Sequence, residues 1–155
     1  MNGVRIERCR EVETPGWLDL RKALWPDTPR ERHRFAMQVQ VDDPERYAAF
    51  IAYAASGAAL GFAEVSLRLD HVNGTTSCPV AFLEGIYVSD RERRHGLGRQ
   101  LLDAVLAWSA LRGCRELASD ALLANTVGQR VHRALGFEET ERVVYFKRSV
   151  PKREA

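Results

Sequence analysis

The six residues Arg93-Arg94-His95-Gly96-Leu97-Gly98 constrain this chain more than any other stretch. They follow a nearly continuous apolar run, Val80 to Val88, interrupted by Glu84 and Gly85. They open a segment in which Leu97, Leu101, Leu102, Val105, Leu106 and Trp108 form one broad apolar stripe, ended by Gly113. The run reads as a central strand and the segment as an amphipathic helix. At such a junction the free amides of the first helical turn and the positive end of the helix dipole are available to an anion. Glycine lets the backbone approach that anion closely. The pattern is therefore a candidate pyrophosphate cradle. Two other phosphate loops are excluded: GxxxxGK[ST] is absent, and GxGxxG would need glycine where Leu101 stands. Alone, Arg-x-x-Gly-x-Gly equally describes a glycine turn entering a surface helix.

The flanking chain predicts a single α/β domain over residues 1–155. Val4, Ile6 and Cys9 mark a short opening strand to about Arg8. Thr14 is placed to cap a helix with Pro15 at its first position, and Trp17, Leu18, Leu20, Leu24 and Trp25 follow at helical spacing. Pro26 and Pro29 stop that helix, and a second runs from Pro29 or Arg30 to about Val41. Strands are expected over 47–54 and 60–69. The second alternates, with Ala63, Val65, Leu67 and Leu69 on one side and Glu64, Ser66 and Arg68 on the other. Further strands are expected over 115–119, 137–141 and 143–148, with a helix capped by Asn125 or Thr126 and ended by Gly136. Antiparallel strands followed by a strand-helix-strand-helix-strand unit make a mixed, mostly antiparallel sheet with helices on both faces.

Charge and cysteines narrow the class. With 23 basic and 21 acidic residues the net charge is +2, which argues against a nucleic-acid binder. No stretch approaches the roughly 18 apolar residues of a membrane span, and the start MNGVRIERCRE has no apolar leader core. A soluble, cytoplasmic protein is expected. Cys9, Cys78 and Cys114 are far apart and show no metal-ligand spacing, so no metal site is expected.

Two long stretches resemble the GNAT N-acetyltransferases. LEGIYVSDRERRHGLGRQLL, residues 83–102, is similar to that family's acetyl-CoA motif. ASDALLANTVGQRVHRALGF, residues 118–137, is similar to its second motif. The phrases LRKALWPD, VNGTTSCPVAFLEGIYV, ASDA and LGFEETERVVYF further resemble the aminoglycoside 6'-N-acetyltransferase subgroup. The resemblance implies a GNAT fold with a splayed pair of parallel strands, acetyl-CoA as co-substrate and a homodimer. Backbone groups of Ile86, Tyr87 and Val88 would pair with the pantetheine arm. The segment Arg93, Arg94, His95, Gly96, Leu97 and Gly98 would hold the pyrophosphate. Asn125 matches a position near the reaction centre, and it is equally a plain helix N-cap.

A polycationic amino sugar calls for carboxylates and flat apolar surface. The resemblance assigns Glu84, Asp120 and Glu141 to the acidic positions and Trp25 to an aromatic one, while His71 stands where Tyr is frequent. Each has a plainer reading: an outward strand residue for Glu84, a loop-starting Asp for Asp120, an exposed turn for Glu141 and core for Trp25. Glu84 is notable without the family, because a carboxylate inside an apolar strand is costly unless paired or solvated. Asp120 and Glu84 are the candidate general bases, acting through water, with the Val88 amide as oxyanion donor. His132 replaces the Tyr that many members carry as an acid, and it is equally a helix-surface histidine. Three functions stand open: aminoglycoside 6'-N-acetylation by direct transfer, acetylation of another amine such as a polyamine or protein amino group, and a non-catalytic CoA-binding domain. The run Val143-Val144-Tyr145-Phe146 suits either a sheet edge shared between subunits or a buried strand within one.

Overall fold

The computed structural model describes residues 3–154. Its sheet holds β1 (Arg5–Arg8), β2 (Tyr47–Tyr53), β3 (Ala59–Arg68), β4 (Val80–Val88) and β5 (Leu117–Ala118), hydrogen-bonded in that order. All neighbours are antiparallel except β4 and β5, which are parallel. Helices α1 (Trp17–Leu24) and α2 (Arg30–Asp42) cover one face, and α3 (Leu97–Leu111) covers the other. Helix α4 (Thr126–Ala134) follows β5. The mixed, mostly antiparallel sheet with helices on both faces is the one expected from the sequence.

Each face buries its own apolar cluster. Leu97, Leu101, Leu102, Val105 and Trp108 of α3 pack with Ala48, Phe50, Ala63, Val65, Ala81 and Leu83. On the opposite face Trp17, Leu20 and Met37 pack with Ala49, Ile51, Tyr53 and Phe62. Central strands β2 and β3 are thus covered on both sides, which the alternation of β3 does not reveal: Glu64 and Ser66, on its polar side, are buried too.

Several boundaries differ from expectation. Helix α1 begins at Trp17 after Gly16, whose φ of 83° makes it a left-handed N-cap, while the Thr14 hydroxyl donates to the Glu11 carbonyl instead. Strand β5 holds two residues rather than five. The two final strands, 137–141 and 143–148, are not formed. The chain there has no ladder partner, and Tyr145 and Phe146 are 80% and 92% exposed. A strand needs a neighbour to satisfy its backbone, and within one chain none is offered. Among the described residues no helix is long and apolar enough to cross a membrane.

Candidate functional site

The two residues that interrupt the apolar run of β4 form a β-bulge. Gly85 pairs with Glu64 and Leu83 with Val65, so Glu84 is the extra residue between them. Bulges re-aim side chains. Here both bulge residues face the side of the sheet that carries α1. A methyl group on Gly85 would come within 2.6 Å of Trp25 Cζ2 and 2.7 Å of its Cη2, so the indole of Trp25 lies directly on the Gly85 backbone. The Glu84 carboxylate projects to solvent. Its Oε1 accepts from the Ser66 hydroxyl at 2.6 Å and from Arg68 Nη2 at 2.8 Å. Burial of this carboxylate inside the strand, the costly alternative, is thereby avoided.

The same strand has an open edge. The β4–β5 ladder covers Ala81–Leu117 and Phe82–Ala118 and then stops. The Ser119 hydroxyl donates to the Leu83 carbonyl at 3.0 Å, beyond which the strands part. Toward β3 the ladder continues to Val88, and the Ser89 amide donates to Leu60 O at 2.9 Å. Backbone groups alternate between edges along a strand, so the amides of Ile86 and Val88 point into the gap beside β5. The Val88 carbonyl on that edge accepts from Arg93 Nε at 3.1 Å. The guanidinium also pairs with Asp90 at 3.0 Å and lies 5.8 Å from the Tyr87 ring centroid.

From β4 the chain passes a short 3-10 turn, Asp90–Glu92, and enters α3 through Arg94 at φ 66° and Gly96 at φ 81°. Arg94 is the one positive-φ residue other than glycine among the described residues, and such strain clusters at ligand sites. A Cβ at Gly96 would meet nothing within 4 Å, so the backbone there is bare. No side chain caps α3, leaving its first amides unclaimed by the N-cap. Within this segment the Leu97 side chain is buried in the α3 core, which leaves its backbone to the loop.

A cleft of about 220 Å³ opens at the end of β3, lined by Arg46, Tyr47, Ser66, Arg68, Asp70, His71 and Glu84 among others. It brings His71 and Glu84 together, with Trp25 on the neighbouring Gly85. The ladder ends before it reaches Asp120, which is exposed two residues beyond the carboxyl end of β5. Glu141 lies in the exposed tail. That tail passes the 70–79 loop, where Gly74 abuts Thr140.

Two expected residues have clear local duties. Asn125 caps α4, its Oδ1 accepting from the Gly128 amide at 2.9 Å, which leaves its Nδ2 available. His132 faces the sheet, not solvent. Its Nδ1 is 2.7 Å from the Gly128 carbonyl and its Nε2 2.8 Å from Ser119 Oγ. Nδ1 is thus held by the backbone of α4 itself, and Nε2 ties the helix to Ser119, just past β5.

A buried ionic cluster behind Trp25 escaped the sequence reading. Arg21 and Glu64, 6% and 3% exposed, form a two-oxygen ion pair. Trp17 Nε1 donates to Glu64 Oε1 at 2.9 Å. Arg21 Nε donates to His33 Nδ1 at 3.3 Å, so His33 carries its proton on Nε2, which faces the Trp25 carbonyl at 3.2 Å. Burial, with the Arg21 cation second, holds the His33 pKa below its ordinary value, consistent with that neutral tautomer. The Arg21 guanidinium lies 4.8 Å from the Trp25 ring centroid. The sequence carries no separate signal for it, because Glu64 falls with Ser66 and Arg68 on the polar side of an alternating strand.

The cysteines stand apart. Cys9 is buried, and burial with the Glu64 charge pushes its thiol pKa far up. Cys114 is half-buried and shifted upward by burial, and Cys78 is exposed. Among the described residues no group of three or more His, Cys, Asp or Glu is placed to hold a metal ion.

The sequence model of the acetyltransferase (GNAT) family matches residues 17–137. Aminoglycoside N(6')-acetyltransferase type 1 of Serratia marcescens is 48% identical over 142 residues, covering 92% of this chain and 97% of that protein. The protein of the same name from Acinetobacter baumannii is 42% identical, covering 95% and 99%. Among solved structures, AAC(6')-Iy in complex with the bisubstrate analogue CoA-S-monomethyl-acetylneamine aligns with a TM-score of 0.89 at 43% identity, covering 96% of this chain and 100% of that one. AAC(6')-Ih from Acinetobacter baumannii aligns with a TM-score of 0.90 at 40% identity, covering 96% and 100%. The bare glycine backbone before α3 and the unpaired edge of β4 fit a CoA-type co-substrate. The family match over most of the chain, together with that open edge, makes this protein a member of the GNAT acetyltransferase family.

Proposed function

We propose that this chain transfers the acetyl group of acetyl-CoA to the 6'-amino group of aminoglycosides, by direct transfer within one catalytic domain spanning residues 1–155. The observation that carries the reading is the open edge of β4, which runs from the bulged Glu84 at one end to the helix-opening glycine loop at the other. Acetyl-CoA supplies an acyl group activated as a thioester. Backbone groups of Ile86 and Val88 pair with the pantetheine arm as an added strand would, while Tyr87 between them turns its backbone to Phe62 of β3. Amides from Arg94 to Gly98 receive the pyrophosphate, with Arg93 and His95 flanking it. The Val88 amide, aimed into the gap, is the donor for the developing oxyanion.

On the acceptor side Glu84, Asp120 and Glu141 take the ammonium groups, and Trp25 and His71 supply flat surface. Glu84 or Asp120 removes the proton from the attacking amine through water. The high thiol pKa of buried Cys9 and the absence of any cysteine from either motif favour direct attack over a cysteine acyl-enzyme. Asn125 Nδ2 is left to the co-substrate or acceptor.

The protein acts in the cytoplasm as a homodimer in which the apolar, unpaired Val143–Phe146 segment adds to the partner's sheet. Sedimentation at micromolar concentration tests this, and a monomer there would refute it. Activity is tested by thiol release from acetyl-CoA with kanamycin, tobramycin and spermidine as acceptors, followed by mapping of the acetylated amine. Fast release with the aminoglycosides and modification at the 6'-amine are expected. Release with spermidine alone, or CoA binding without transfer, would overturn the reading.

A further inference from the structure

A cleft meant for a polycation should be acidic, yet this one is balanced. Arg46 and Arg68 stand in it against Asp70 and Glu84. Arg68 sits on the carboxylate itself: Nη2 donates to Glu84 Oε1 at 2.8 Å and Nε to Ser66 Oγ at 3.2 Å. Its guanidinium lies 4.4 Å from the Phe82 ring centroid. The Ser66 hydroxyl donates to the same Oε1, while Oε2 accepts no hydrogen bond from the described residues. The two side chains are 42% and 37% exposed, so the pair is wet and readily exchanged. An acceptor ammonium approaching Glu84 therefore meets a carboxylate already holding a cation of this chain.

We infer that Arg68 is a specificity-determining residue: an internal counter-cation that occupies Glu84 in the free enzyme and is displaced by the acceptor's ammonium group. This rests on the reading of Glu84 as an acceptor contact. Arg68 holds the carboxylate in position between turnovers and weakens binding of any acceptor that brings too little charge to displace it. Ser66 remains on Oε1 when the guanidinium leaves, so the carboxylate keeps its aim.

The test compares Arg68→Gln, Arg68→Lys, Glu84→Gln and the Arg68→Gln/Glu84→Gln double variant, each confirmed folded by thermal denaturation. Steady-state kinetics are run with tobramycin and acetyl-CoA at low and high salt. R68Q is expected to lower the tobramycin KM roughly two- to five-fold at low salt, the scale of an exposed ion pair. The effect should shrink at high salt, leave the acetyl-CoA KM unchanged, and disappear in the double variant. R68K should stay near the native KM. If E84Q raises the tobramycin KM while R68Q leaves it unchanged or raises it, the inference falls and the acceptor reading of Glu84 stands. If neither variant changes the tobramycin KM, that reading falls and the inference with it.

Discussion

Replacing Arg21 by methionine removes the partner of a carboxylate that has little other recourse. Glu64 is 3% exposed, and without Arg21 its sole remaining side-chain donor among the described residues is Trp17 Nε1 at 2.9 Å. Breaking a buried pair in this way costs about 3–5 kcal/mol, because one charge stays uncompensated. Domains of this kind have about 5–15 kcal/mol in total, so R21M should fold but with a large deficit. With a urea m-value of about 2 kcal/mol/M, a loss of about 4 kcal/mol moves the unfolding midpoint down by about 2 M. The Arg21→Met/Glu64→Leu double variant removes both charges and fills the space with apolar atoms. Such replacements are frequently neutral, so it should regain at least half of the loss. Urea unfolding followed by tryptophan fluorescence measures both. A shift under about 0.5 M for R21M, or a double variant no more stable than R21M, would refute the account of Glu64 as a charge dependent on Arg21.

Gly85→Ala should destabilise by about 1–3 kcal/mol through overpacking against Trp25 and Leu24. It should raise the acceptor KM while sparing that of acetyl-CoA, and a native denaturation midpoint with native kinetics would contradict the placement of the indole on β4. His33 is held neutral in the fold, so the unfolded chain binds the extra proton first as pH falls below about 6.5. Stability should decline from there toward the lower folded pKa and level off beneath it. Comparing denaturation midpoints from pH 7.5 to 5 in the native protein and His33→Gln checks this, and an equal slope in both would assign it elsewhere. Cys9→Ala, Cys78→Ala and Cys114→Ala should each keep turnover within about two-fold of native, and loss of thiol release in any one folded variant would reinstate an acyl-enzyme.

The elements around the glycine loop were readable from the chain because their signals are local. The apolar run of β4, the α3 stripe and the Asn125 cap are each written in a short segment, and the structure has them where expected except that Leu106, counted in the stripe, is 45% exposed. Glu84 could be singled out as an anomaly in its strand. What it does there depends on the bulge and on Arg68, sixteen residues away. The polar side of β3 misled for a related reason. Alternation reports that two faces differ, not whether both are covered, and Glu64 is buried because α1 lies on it and Arg21, 43 residues earlier, neutralises it. For His132 the sequence left an acid and a helix-surface residue equally open, and the contact of its Nε2 with Ser119 exists only in the folded chain. The tail at 137–148 has strand composition, but a ladder needs a partner that its own sequence does not supply. The sequence alone thus determined the mixed sheet, the helix-opening glycine loop and the family resemblance, each carried by short segments. The pairing of charges across the sheet and the opening between β4 and β5 were decided by tertiary structure, because electrostatic partnership and strand register are set by contacts between residues distant in the chain.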